Sequence, residues 1–418
     1  MRKRSLVLGI LAIFCVYGMM LSPAFAEKVL KVGVLGPFTG AQAKVGAEFK
    51  ASVNLAMEEI DYKIGDYRVE PVWIDSQMDP AKAVGAYEEA IEGKGIVAGV
   101  LNWQSSVAVA VMDVVAKHKI PHVFGFGATG LVNEKFNSDR EKYEYWSCKG
   151  WPVPSKLMKG YVNCIEDSIK RGDWKPAKKI AAIYGEDTDW GRNAGGALKD
   201  LFQGAGWKVI SEDYFPVNQS DFYPLLGKYR SRGVTLLAGT CNYPAMGALI
   251  KQSREVGIDA AIIADGLGWV GNWYDMSGEN ANNVIDMIPL LTTPEAKAWA
   301  KKVESQFGFK PSPSSGGLSY DGVRFFIKMA KRTLEKHGEL TKETIFEVIK
   351  SEVNTGKLTY TKADGAIIMS SYTYTSESAP DPLLGKEGYF FPVIQYKSGK
   401  GHVIYPEDVK ERNFIPPK

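Results

Sequence analysis

Ser105, Ser106 and Thr129 stand where hydroxyl groups could hold an anion. The two serines follow a short apolar run (Ile96, Val97, Val100, Leu101) and open an apolar helix carrying Val107, Val109, Val111, Val114 and Val115. Pro121 then starts a second short strand, His122 to Phe126, which ends in Gly127, Ala128 and Thr129. A helix start leaves backbone N–H groups unpaired and carries a partial positive charge. Hydroxyls added there make a carboxylate site that needs no catalytic group. The same serines also fit a plain N-cap before a core helix, and Thr129 fits a turn-stabilising hydroxyl.

Signals for bond-making chemistry are missing. The sequence holds no G-x-S-x-G elbow, no H-E-x-x-H and no paired catalytic carboxylate motif. Gly33, Gly36 and Gly40 follow a strand, with Asp75 at the end of the next one, but Pro37 interrupts them and their spacing departs from a dinucleotide loop. The expectation is a binding protein with no enzyme activity and no cofactor. Cys148, Cys164 and Cys241 lack metal-ligand spacing, and only four histidines could assist, so no metal site is expected. Cys148 with Cys164 is a candidate disulfide; buried free thiols are the alternative.

The first 26 residues read as a secretory leader. Arg2, Lys3 and Arg4 precede the uncharged Leu6–Leu21 run, and Ala24-Phe25-Ala26 gives the cleavage pattern. The whole chain carries 51 basic and 48 acidic residues, and the leader holds three basic ones and no acidic one. The remainder is therefore balanced at 48 of each, and neither nucleic acid nor an anionic membrane is expected as a partner. An exported chain follows.

Strands alternate with helices along the rest, which predicts an α/β fold with parallel sheets. Leu30–Leu35 is a strand running into Gly36-Pro37-Phe38-Thr39-Gly40, and Val69–Ile74 is the next. A second unit of the same rhythm spans Lys179–Tyr184, Trp207–Ser211, Val234–Gly239 and Ala260–Ala264. Val284–Leu291 reads as a strand crossing back. Helices Pro294–Gln306 and Tyr320–Lys336 follow, and Ser398-Gly399-Lys400-Gly401 forms a hairpin turn near the end.

The stretches LKVGVLGPFTGAQAKVGAEFKASVNLAMEEID, VWIDSQMDPAKAVGAYEEAI, FGFGATG, IAAIYGEDTDWGRNAGGALKDLFQGAG, GTCNYPAMGALIKQSREVGIDAAII and VIQYKSGKGHVIYPEDV occur in this order. Together they resemble the leucine/isoleucine/valine-type periplasmic binding proteins over Lys28 to about Val409. The resemblance implies two similar doubly wound parallel-sheet lobes joined by three crossings, with ligand closed between them. Lobe one is expected at 27–148 plus 285–352, and lobe two at 149–284 plus 353–418. It implies a monomer that delivers a small amphipathic ligand, an amino acid of the branched-chain or hydrophobic class, to ABC permease subunits in the inner membrane.

By the same resemblance, Ser105 or Ser106 holds the ligand carboxylate, with Gly127, Ala128 and Thr129 adding backbone and a hydroxyl. Trp190 is placed beside the ligand, and Asn242 or Tyr243 faces the cleft. Family members pair the ammonium with a glutamate after the Ala260–Ala264 strand. That glutamate is missing here, which leaves Asp265, or Asp187, as the substitute. Val45 replaces a ring near the ligand, while Trp103 and Trp269 enter the ligand loops. These departures leave open an aromatic or aliphatic carboxylate, or an amide-like metabolite. A ligand-presenting sensor for a membrane receptor shares the same pattern.

Overall fold

A computed structural model describes residues 27–269 and 273–417. The secretory leader expected at 1–26 lies outside the described residues. No helix among those described is long and apolar enough to cross a membrane.

Lobe one is built on six strands: β1 (Lys28–Gly36), β2 (Lys63–Ile64), β3 (Tyr67–Asp75), β4 (Ala98–Val100), β5 (His122–Val123) and β6 (Trp146–Ser147). Their order in the sheet is β2-β3-β1-β4-β5-β6. All neighbours run parallel except β2 and β3. Helices cover both faces, so β1 buries Leu30, Val32, Val34 and Leu35 nearly without alternation. Helix α1 (Ala43–Glu58) buries Val45, Phe49, Val53 and Leu55. In α2 (Pro80–Glu92), Asp79 caps the amides of Ala81 and Lys82 and Pro80 sits in the first turn. Helix α3 (Ser105–His118) and the short α4 (Gly130–Ser138) complete the side facing the second lobe.

Lobe two uses β7 (Ile180–Glu186), β8 (Lys208–Phe215), β9 (Leu236–Thr240), β10 (Ala261–Asp265) and β11 (Ile285–Met287). After β12 (Tyr360–Thr361) and β13 (Ser371–Tyr372), the chain adds β14 (Val393–Lys397) and β15 (Lys400–Tyr405). The sheet order is β15-β14-β11-β10-β9-β7-β8. Its last two strands run antiparallel at the β11 edge. The hairpin turn read at Ser398–Gly399 joins them.

The crossings differ from the sequence expectation in two places. The sequence pattern places residues 285–287 in lobe one, yet β11 pairs with β10 and β14 in the lobe-two sheet. The same pattern places residues from 353 onward in lobe two, yet β12 and β13 pack on lobe one. There the buried Asp321 accepts the amides of Ile367 and Ile368 and the Tyr372 hydroxyl. The second crossing therefore follows β11, and the third follows β13. Pattern alone assigns a strand to a layer only through its neighbours, and these pairings are long-range.

The three thiols are free and buried. Cys148 lies in the first crossing against Asn354, and Cys164 lies inside the helix Lys159–Arg171. Of the two alternatives, a Cys148–Cys164 disulfide or buried free thiols, the structure has the free thiols.

Candidate ligand-binding site

Every element that reaches the cleft ends there by the parallel-sheet rule: ligand loops gather beyond the carboxyl ends of the strands. β1 runs into the Gly36–Gly40 loop. Asp75, at the end of β3, holds that loop by accepting the amides of Phe38 (2.9 Å) and Thr39 (3.3 Å) and the Thr39 hydroxyl (2.6 Å). Asp75 is thus a brace for the Gly36–Gly40 loop.

The loops after β4 and β5 are braced by Asn102. Its Oδ1 accepts from the Gly127 amide at 3.0 Å, and its Nδ2 donates to the Gln104 carbonyl at 3.1 Å. Gly127 must be glycine, since a Cβ there would lie 2.4 Å from the Ala108 Cβ. Helix α3 then starts at Ser105 with no side-chain cap on its first-turn amides. Ser105 Oγ accepts from the Thr129 amide at 3.3 Å, so its own proton remains available.

Between the lobes lies a small cavity of about 40 Å³, lined by Met78, Trp103, Gln104, Ser105, Phe126, Trp151, Glu186, Trp190, Asn242, Tyr243 and Trp269. Four tryptophans and Phe126 form its walls, and Trp103 of lobe one meets Trp269 of lobe two edge to face at 5.6 Å. The lobes also touch through Gln42 Nε2 and the Asn242 carbonyl (2.6 Å), and through the Gly130 amide and Asn193 Oδ1 (2.9 Å). The molecule is closed.

Among the described residues, Glu186 is the lone ionisable acid or base of ordinary range lining this cavity. It ends β7 and is almost fully buried. Burial pushes its carboxyl up to about 7, against the pull of the Asn242 amide (2.7 Å) and the Thr188 hydroxyl (2.9 Å). Further polar capacity surrounds it. The Gln104 and Asn242 side-chain oxygens and the indole N–H groups of Trp151 and Trp269 are buried and meet no partner among the described residues. Unpaired buried polar atoms are costly, and these four belong to residues that line the cavity.

Of the residues expected from sequence, Trp103, Ser105, Trp190, Asn242 and Tyr243 line the cavity. Trp190 does so while its Nε1 donates to Thr240 Oγ1 at 2.9 Å. Ser106 is half-buried in the first turn of α3 and does not line it. Gly127, Ala128 and Thr129 are buried behind Ser105, where Thr129 caps α4, and they support the wall instead of forming it. Asp265 requires a correction. It points into the body of lobe two, accepting from the Tyr161 hydroxyl and Thr240 Oγ1 at 2.8 Å each. Burial, with Asp286 nearby, raises it to about 7. Asp187 is exposed and pairs with Arg192 at 2.6 Å. Val45 is core.

Sequence reading missed Met78, Gln104, Phe126, Trp151 and Glu186. Glu186 sits one position before Asp187; the exact end of β7 decides which acid turns inward. Trp151 lies in a crossing segment, where no periodicity marks an inward face.

The fold and the cleft define a two-lobed solute-binding protein. The chain belongs to the periplasmic binding protein family, whose sequence profile matches residues 29–379. It is 26% identical over 337 residues to Leu/Ile/Val-binding protein homolog 6 of Brucella abortus, covering 77% of this chain and 81% of that protein. In fold it is similar to a putative branched-chain amino acid ABC transporter protein from Silicibacter pomeroyi, with a TM-score of 0.75 at 19% identity, covering 93% of this chain and 99% of that one. It is also similar to a solute-binding protein of an ABC transporter from Rhodopseudomonas palustris BisB5, solved with 3,4-dihydroxybenzoic acid. There the TM-score is 0.69 at 18% identity, covering 89% and 95%.

Proposed function

We propose that this chain is exported through a cleaved leader, captures a small hydrophobic-class amino acid between its lobes, and presents it to ABC permease subunits. The ligand carboxylate sits at the start of α3 with Ser105, and its ammonium sits at Glu186 beside the Gln104 and Asn242 carbonyls. The apolar side chain lies among the indoles. Glu186 carries this reading: a buried carboxylate facing an uncapped helix start makes two poles of opposite sign, which suits a zwitterion. The name of the Brucella abortus relative is in keeping with it. Capture is hinge closure, in which the ligand shifts the open–closed population through contacts made only when closed.

The aromatic walls favour a second reading, an aromatic carboxylate whose ring stacks between indoles and whose acid meets α3. A thermal-shift panel on residues 27–418, unfolded and refolded to strip carried-over ligand, separates the two. Leucine, valine and phenylalanine are set against isocaproate, phenylpropionate, benzoate and 3,4-dihydroxybenzoate. A ligand at 100 times its Kd adds about 2.7 kcal/mol. The expected result is stabilisation by amino acids, lost in Glu186→Gln. Stabilisation by the acids alone, unchanged in Glu186→Gln, rejects the ammonium assignment.

A further inference from the structure

The first crossing carries Lys149, the one lysine fully buried among the described residues. Its ammonium lies 3.0 Å from Asp381 Oδ1, and both side chains are completely enclosed. Asp381 belongs to the third crossing, and its other oxygen meets Lys156, past the first crossing, at 3.0 Å. The Lys149 ammonium also donates to Asn133 Oδ1 of α4 at 2.6 Å and to the Ala128 carbonyl at 3.4 Å. Its backbone is tied as well. The Lys149 amide donates to the Pro380 carbonyl at 2.7 Å, and the Tyr374 hydroxyl donates to the Lys149 carbonyl at 2.9 Å. The Tyr389 hydroxyl donates to the next carbonyl, that of Gly150.

One side chain therefore joins two hinge segments to the loop behind Ser105. On the other side, Trp151 follows two residues later and lines the cavity, touching Trp269 at 4.7 Å and Phe391 at 4.4 Å. Packing alone does not explain this arrangement. Burying an ion pair costs desolvation that apolar residues of similar size avoid, so such a pair is weak support for stability. What it can supply is registry between segments that must move together.

We propose that Lys149 is a positioning residue for ligand capture: held by Asp381, it locks the Ala128–Thr129 loop and the first and third crossings into one body when the lobes close. The carboxylate end of the cleft is then set by the hinge, and lobe rotation carries Ser105 and Trp151 into place together. The proposal rests on the cavity being the ligand site, and not on which ligand fills it.

The test compares the parent with Lys149→Met/Asp381→Leu and with Asn133→Ala. Three readings are taken: melting temperature, hydrogen exchange of the Gly127 and Thr129 amides without ligand, and calorimetric affinity for L-leucine, L-phenylalanine and 3,4-dihydroxybenzoate. The apolar pair is expected to melt near the parent. Its Gly127 and Thr129 amides exchange about tenfold faster, and affinity drops by a common factor of about ten for every probe the parent binds. Asn133→Ala, which leaves the ion pair whole, shifts exchange and affinity the same way by about threefold. Parental exchange at Thr129 in both variants overturns the proposal, as does parental affinity in the apolar pair. If the apolar pair does not fold, Asn133→Ala decides. If the parent binds none of the three probes, the amino-acid reading fails while exchange still decides the role of Lys149.

Discussion

Glu186 is a carboxyl group kept dry at the edge of a cavity. Its ordinary value is 4.5 and burial takes it to about 7. The folded chain thus binds that proton more tightly than the unfolded chain does. Stability contributed by the protonated form is full below about 4.5, declines as pH rises, and is gone above about 7. The loss at full ionisation is on the order of 3 kcal/mol. Glu186→Gln removes it, so the ligand-free variant should gain melting temperature over the parent as pH rises through that window. Asp265 keeps its own share of the slope, because burial and Asp286 hold it at about 7 as well. Melting curves across pH check this; parallel curves for parent and variant would reject a dry Glu186.

At the scale of elements, the site is a set of strand ends that brace one another. Asn102 is the clearest brace, satisfying Gly127 and Gln104 from between two loops. Asn102→Ala leaves the buried Gly127 amide unpaired, at a cost of about 1–3 kcal/mol. Asn102→Asp keeps the acceptor but turns a buried carboxylate oxygen toward the Gln104 carbonyl, and should lose at least as much. Denaturant midpoints rank the three proteins, and equal midpoints would remove the brace. Much of this level was legible beforehand. Apolar runs ending in glycine or aspartate marked β1, β3, β7 and β10, and the helix after Ser105 declared itself by its valines. The two-residue β6 was not legible, since Trp146–Ser147 is too short to show a period. The sheet membership of β11 was not either, because its partners β10 and β14 are set by tertiary pairing. Ser105, Trp190 and one of Asn242 and Tyr243 were expected from the family resemblance, and all four line the cavity. Glu186 and Asp265 were not sorted correctly, because a shift of one residue at a strand end reverses inside and outside.

For the whole molecule, affinity is divided between contacts to ligand and contacts between lobes. The Gly130–Asn193 bond bridges the lobes through groups that do not line the cavity. Asn193→Ala removes about 1 kcal/mol from the closed state alone. Affinity should fall about fivefold for each ligand, with selectivity and melting temperature of the free protein unchanged. Calorimetry against two ligands checks the common factor; a change in selectivity would mean that Asn193 reaches the ligand. The meeting of Trp103 and Trp269 across the cleft has a consequence of another kind. Two indoles at 5.6 Å couple their ultraviolet transitions, and rotation of the lobes pulls them apart. The protein thus carries an internal optical gauge of its own closure, readable by circular dichroism without any attached dye.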